Sequence, residues 1–115
     1  MERSEKDLEK MCRRLVRFEE SRIRTDNPDV SLKLEIRKDR DGWCGDIIMR
    51  KSRTGFCYHR FRRYAESLEW LLVEFIYSIS YNYSLLDLHL SDSYDTILEP
   101  GALEELDLKL SSMGF

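Results

Sequence analysis

The chain's hydrophobic positions fall into runs of two periods, which together predict a mixed fold. Leu8, Met11, Cys12 and Leu15 recur at i, i+3, i+4 and i+7, and Phe18 extends the stripe. This is one face of an amphipathic helix running from Ser4 to about Arg24. Ser4 is the natural N-cap, with Asp7 three residues on as a capping-box variant, and Asp26-Asn27-Pro28-Asp29 ends the segment. The period then changes to two: Val30, Leu32, Leu34 and Ile36 alternate with Ser31, Lys33, Glu35 and Arg37, the pattern of a half-buried strand. Asp39-Arg40-Asp41-Gly42 is a hairpin turn, followed by a strand from Trp43 to about Arg50. Past Lys51-Ser52-Arg53-Thr54-Gly55 a third strand runs from Phe56 to about Arg63. Sequential strands joined by short turns predict an antiparallel meander.

A second helix is predicted over Ser67–Tyr81. Leu68, Leu71, Leu72, Phe75, Ile76 and Ile79 form its main stripe, and Trp70, Val73 and Tyr77 form a second one beside it. A helix apolar around so much of its girth is either central or covers two surfaces. Beyond it the pattern thins. Leu86-Asp-Leu-His-Leu90 echoes Leu106-Asp-Leu-Lys-Leu110, Ser91–Thr96 reads as a polar loop, and Pro100-Gly101 interrupts the chain. The last segment reads either as a strand or, preferably, as a short helix carrying Leu103, Leu106 and Leu110. The expected fold is therefore α+β, a three-stranded antiparallel meander flanked by two helices with an acidic C-terminal segment. Its expected core is Leu8, Leu15, Leu32, Leu34, Ile36, Ile47, Phe56, Leu71, Leu72, Phe75 and Ile79.

Composition bounds this picture. A length of 115 residues fits residues 1–115 as one domain, and a hydrophobic share of 42% supplies a real core. No stretch reaches the ~20 apolar residues that span a bilayer, and the charged start Met1-Glu2-Arg3-Ser4 is not a secretory signal, so the expected location is the cytoplasm. The odd, scattered set Cys12, Cys44 and Cys57 suits a reducing compartment better than a disulfide framework. Charge changes the picture most. Residues 1–63 carry 18 Lys/Arg against 12 Asp/Glu, whereas residues 64–115 carry one against ten. A net charge of −3 thus conceals a basic front and an acidic back.

Candidate chemistry is sparse. Cys44, Cys57 and His59 are at most three zinc ligands, short of the four a structural site takes, and His89 is far off, so no metal or other cofactor is expected. If Met49 pairs with Phe56, Asp46 lies opposite His59 and Cys57 opposite Ile48. That pairing would give the orienting half of a triad for a small enzyme. The glycines match neither phosphate-loop pattern. The densest cluster is basic: Arg50, Lys51, Arg53, Arg60, Arg62 and Arg63, with His59 and no acid, interleaved with Phe56, Tyr58 and Phe61. Such a hairpin suits phosphate contacts and base stacking. The opposing cluster is acidic: Asp87, Asp92, Asp95, Glu99, Glu104, Glu105 and Asp107.

The order helix, three strands, helix is similar to that of the double-stranded-RNA-binding domain, a resemblance of element order that does not carry the family's function over. That family opens its second helix with a basic run, whereas this chain reads Ser67-Leu68-Glu69-Trp70-Leu71. The order is also similar to small phage-encoded inhibitors, some anti-CRISPR proteins among them, which implies an anti-defence or immunity-type role in a host cytoplasm. The expectation is a non-enzymatic inhibitor or adaptor acting by protein–protein contact. Its surface would be Trp70, Tyr77, Tyr81, Tyr83, Asp87, Asp92, Asp95, Glu99, Glu104 and Glu105. Its partner would be a basic or nucleic-acid-binding protein or a second copy of the chain, with nucleic acid on the Arg-rich hairpin as the alternative.

Overall fold

The N-terminal periodicity becomes helix α1, Glu5–Arg24. Ser4 caps it, accepting the Asp7 N–H at 3.2 Å, with Glu5 and Asp7 in the first turn and Arg22 and Arg24 in the last, as the helix dipole favours. The computed structural model describes residues 4–79 and 100–115, the side chains of 58–61, 77–79, 100 and 102 excepted. Three strands follow, β1 (Val30–Asp39), β2 (Gly42–Lys51) and β3 (Phe56–Ala65), then α2 (Leu68–Ile79) and a last helix α3 (Pro100–Ser112). The expected α+β architecture is the one that forms. The strands make an antiparallel sheet in the order β1-β2-β3. Tyr81, Tyr83, Asp87, Asp92, Asp95, Glu99, the expected Ser91–Thr96 loop and the Leu86–Leu90 echo lie outside the described residues.

The first hairpin closes on Arg40-Asp41, with Asp39 paired to Gly42 and the Asp41 N–H donating to Asp39 Oδ1 at 3.1 Å. Gly42 sits at φ 150°, and a Cβ there would stand 2.3 Å from the Ala65 carbonyl oxygen, so both backbone and space demand glycine. The second hairpin pairs Lys51 with Phe56 and is tied to the α1–β1 turn, because Ser52 donates from its N–H and its hydroxyl to the Asp29 carbonyl at 2.9 and 3.0 Å.

Helices cover one face of the sheet. Leu34 and Ile47 meet across β1–β2 under α1 and α2, which bury Leu8, Met11, Cys12, Leu15, Leu71, Leu72 and Phe75. α2 contacts the β2–β3 half of the sheet on one side and α1 on the other. Its broad apolar girth follows from this: Val73, from the second stripe, is as buried as Leu68, Leu71, Leu72, Phe75 and Ile76 of the main one. Val73 is fully buried and Trp70 is half-buried against the core. Phe75 reaches the sheet because β2 carries Gly45, where a Cβ would stand 2.3 Å from Phe75 Cζ.

α3 forms the preferred helix and buries Leu103, Leu106 and Leu110, while Leu108 is 71% exposed, as helical rather than strand spacing requires. Arg14 of α1 binds it. The guanidinium pairs with the Asp107 carboxylate and donates to the Asp107 carbonyl at 3.1 Å, Ser111 Oγ at 2.8 Å and the Phe115 carbonyl at 2.6 Å. Phe115 packs edge-on against Phe18, ring centres 6.0 Å apart.

Three core assignments change. Phe56 is 58% exposed, because it opens β3 opposite Lys51 at the mouth of the hairpin, beyond the helices. Leu32 and Ile36, on an edge strand, are only half-buried against the core. The Ile79 side chain lies outside the described residues.

Candidate functional site

The cross-strand pairing of Asp46 with His59 does not hold. The β2–β3 ladder runs Lys51–Phe56, Arg50–Cys57, Met49–Tyr58, Ile48–His59, then shifts between Ile47 and Ile48 so that Asp46 stands opposite Arg62. The bulge takes up one extra residue of β3. Asp46 is buried, and both of its carboxylate oxygens accept from Arg62, Oδ1 from Nε at 2.7 Å and Oδ2 from Nη2 at 2.9 Å. The hydrogen bonds that Arg62 donates to Asp46, with a further one to Tyr64, raise its pKa. Cys57 stands opposite Arg50 rather than Ile48, and Cys44 stands opposite Tyr64 toward the other end of the sheet. The two thiols are therefore not brought together, and among the described residues no three His, Cys, Asp or Glu side chains could hold a metal ion. Cys12 is buried among apolar groups, and that burial pushes its thiol up to about 12.

The Arg-rich hairpin is split by this register. Arg62 is committed to Asp46, and Arg63 donates to the Arg62 carbonyl at 2.9 Å. At the tip, Arg50 and Arg53 are exposed and Lys51 is half-buried beside exposed Phe56. No acid lies within ion-pair distance of these three cations among the described residues. Arg60 lies in β3, its side chain outside the described residues.

The acidic set is represented by α3. Glu104 and Glu105 are exposed, and with Leu108 they lie on one side of the helix, opposite Leu103, Leu106 and Leu110. Asp107 turns instead toward Arg14, an ion pair that joins the basic front to the acidic back. Arg22–Glu19, Lys33–Glu35, Lys38–Glu5 and Arg62–Asp46 pair within the front half. Of the aromatic set, Trp70 donates its N–H to the capping Ser67 Oγ at 3.2 Å, and Tyr77 lies in α2 with its side chain outside the described residues.

One surface escaped the sequence reading. Lys10, Arg13 and Arg17 are exposed at i, i+3 and i+7 on α1. They border a groove of 710 Å³ between α1 and β1, with Val16, Leu32 and Leu34 on its apolar side. The polar face of α1 has its own helical stripe, and that spacing was the available signal.

No helix among the described residues is long and apolar enough to cross a membrane. No family model, no curated protein and no solved structure matches the chain.

Proposed function

We propose that this chain is a non-enzymatic binding module of the inhibitor or adaptor kind, working by protein–protein contact through the outer face of α3. The observation that carries the reading is the exposure of Leu108 at 71% on the side that also holds Glu104 and Glu105. An apolar side chain ringed by carboxylates suits a contact that desolvates at its centre and is steered by charge at its rim. Such a surface is complementary to a basic protein, including one whose groove ordinarily receives nucleic-acid phosphates. α3 can present it rigidly, because Arg14 and the three buried leucines hold the opposite side.

The test is affinity capture with three baits: wild type, Glu104→Lys/Leu108→Ser, and Arg50→Glu/Arg53→Glu. A protein retained by the first and third baits and lost by the second is the expected result. A capture pattern that the α3 changes leave untouched refutes the reading.

The second reading, nucleic acid on the hairpin tip, is favoured by exposed Phe56 beside cations that no described acid neutralises. It requires retention of oligonucleotides that falls steeply with salt and is lost in Arg50→Glu/Arg53→Glu.

A further inference from the structure

The groove between α1 and β1 is distinct from both surfaces above. Its cations are unevenly committed: Arg14 is occupied by α3 and the Phe115 carbonyl, and Lys33 pairs with Glu35 at 3.3 Å. Lys10, Arg13 and Arg17 have no acid within ion-pair distance among the described residues. The other side of the groove is the outer edge of the sheet. Along an edge strand, residues alternate between directing N–H and C=O into the ladder and directing them out. The Leu32 N–H donates to Glu20 Oε2 at 2.7 Å, and the Leu34 carbonyl accepts from Arg13 Nη1 at 3.3 Å, both from α1. Leu32 and Leu34 are therefore outward residues. The Leu32 carbonyl and the Leu34 N–H point the same way, and no described residue outside the sheet bonds them.

An incoming chain thus meets one backbone acceptor, one backbone donor, an apolar wall and three uncompensated cations. These are the requirements of strand addition, in which main-chain bonds supply affinity and alternate side chains supply specificity. The alternation here selects one chemistry. Residues facing Val16, Leu32 and Leu34 should be apolar, and those facing Lys10, Arg13 and Arg17 should be carboxylates. Glu20, bound at Leu32, places a negative charge at one end of the groove, so the acidic positions belong toward Lys10 and Arg13.

We propose that the groove between α1 and the outer edge of β1 is a docking site for an extended acidic segment of a partner protein, one that alternates apolar and carboxylate side chains.

Fluorescence polarisation with a labelled peptide of alternating Leu and Glu tests it, beside a Leu–Lys twin and a Leu–Glu twin N-methylated at alternate amides. The Leu–Glu peptide should bind, more weakly as salt rises, while both twins fail. Arg13→Glu/Arg17→Glu should weaken it roughly tenfold or more, with an unchanged circular dichroism spectrum. Glu104→Lys/Leu108→Ser should leave it unchanged, which separates this site from the α3 surface. Absence of binding, equal binding of the Leu–Lys twin, binding by the N-methylated twin, or indifference to Arg13→Glu/Arg17→Glu overturns the proposal. Tighter binding of a single- or double-stranded oligonucleotide at the same residues overturns it in favour of nucleic acid. Self-association abolished by Arg13→Glu/Arg17→Glu overturns it in favour of a second copy of the chain.

Discussion

Replacing Gly45 by alanine adds one methyl group to the middle strand, at the point where α2 rests on the sheet. The new Cβ would stand 2.3 Å from Phe75 Cζ and 3.1 and 3.2 Å from its two Cε atoms. All three distances are well inside carbon–carbon contact, which is optimal at about 3.5–4.0 Å. Phe75 is fully buried and cannot swing out, so either its ring leaves its rotamer or α2 lifts from β2. Overpacking of this kind costs about 1–3 kcal/mol, and the end-on approach to a rigid ring argues for the upper half. Restricting the unfolded chain offsets about 0.4–1 kcal/mol, because Gly45 has no left-handed φ that alanine would strain. The expected net loss is about 1–2.5 kcal/mol, read as a lower urea midpoint at unchanged slope. Phe75→Leu shortens the intruding group, so the double variant should be less destabilised than the two single losses added together, by about 1 kcal/mol. A Gly45→Ala protein as stable as the wild type, or strictly additive losses, would refute the account of how α2 is seated.

Arg14→Met should lower stability by about 1–3 kcal/mol, since it removes a charge-assisted network and leaves the Asp107 and Phe115 acceptors unmatched. Hydrogen exchange should accelerate in α3 before it does in the sheet, and uniform acceleration would argue against a local tie. In the native protein a thiol reagent should modify Cys57 quickly, and Cys12 and Cys44 only on unfolding, because the first is exposed and the others are buried. Two fast thiols in a mass-resolved time course would contradict this. The Cys12 thiol is held up to about 12 against an ordinary 9.0, so above about pH 9 the unfolded chain ionises while the folded one stays neutral. The unfolded state then binds fewer protons, so this group's contribution to stability is full below about pH 9 and is lost as pH climbs toward 12. Cys12→Ala should flatten that part of the alkaline stability profile.

Local signals determined most of the elements. α1 was legible to its ends because a 3.6-residue stripe, a Ser4 cap and the Asn27-Pro28 break all agree. The first hairpin was legible because Gly42 follows a two-residue turn after strict alternation. The charge asymmetry was legible as a count. Tertiary structure decided what each charge does, because ion pairing depends on register and packing rather than on proximity in sequence. A hairpin closing at Lys51–Phe56 instead of Met49–Phe56 shifts the ladder by two residues and the bulge in β3 by one more, which puts Arg62 rather than His59 opposite Asp46. No local residue pattern announces an inserted residue whose effect is felt across the sheet. The same holds for α3, where the Leu106–Leu108–Leu110 alternation fits a strand and Leu103, Leu106 and Leu110 fit a helix, until Arg14 and the core select the helix. It holds too for Phe56, whose exposure depends on where the helices stop covering the sheet. The basic groove lay unread on the polar face of α1 because its other wall comes from β1, and only the packing of helix on strand brings the two together.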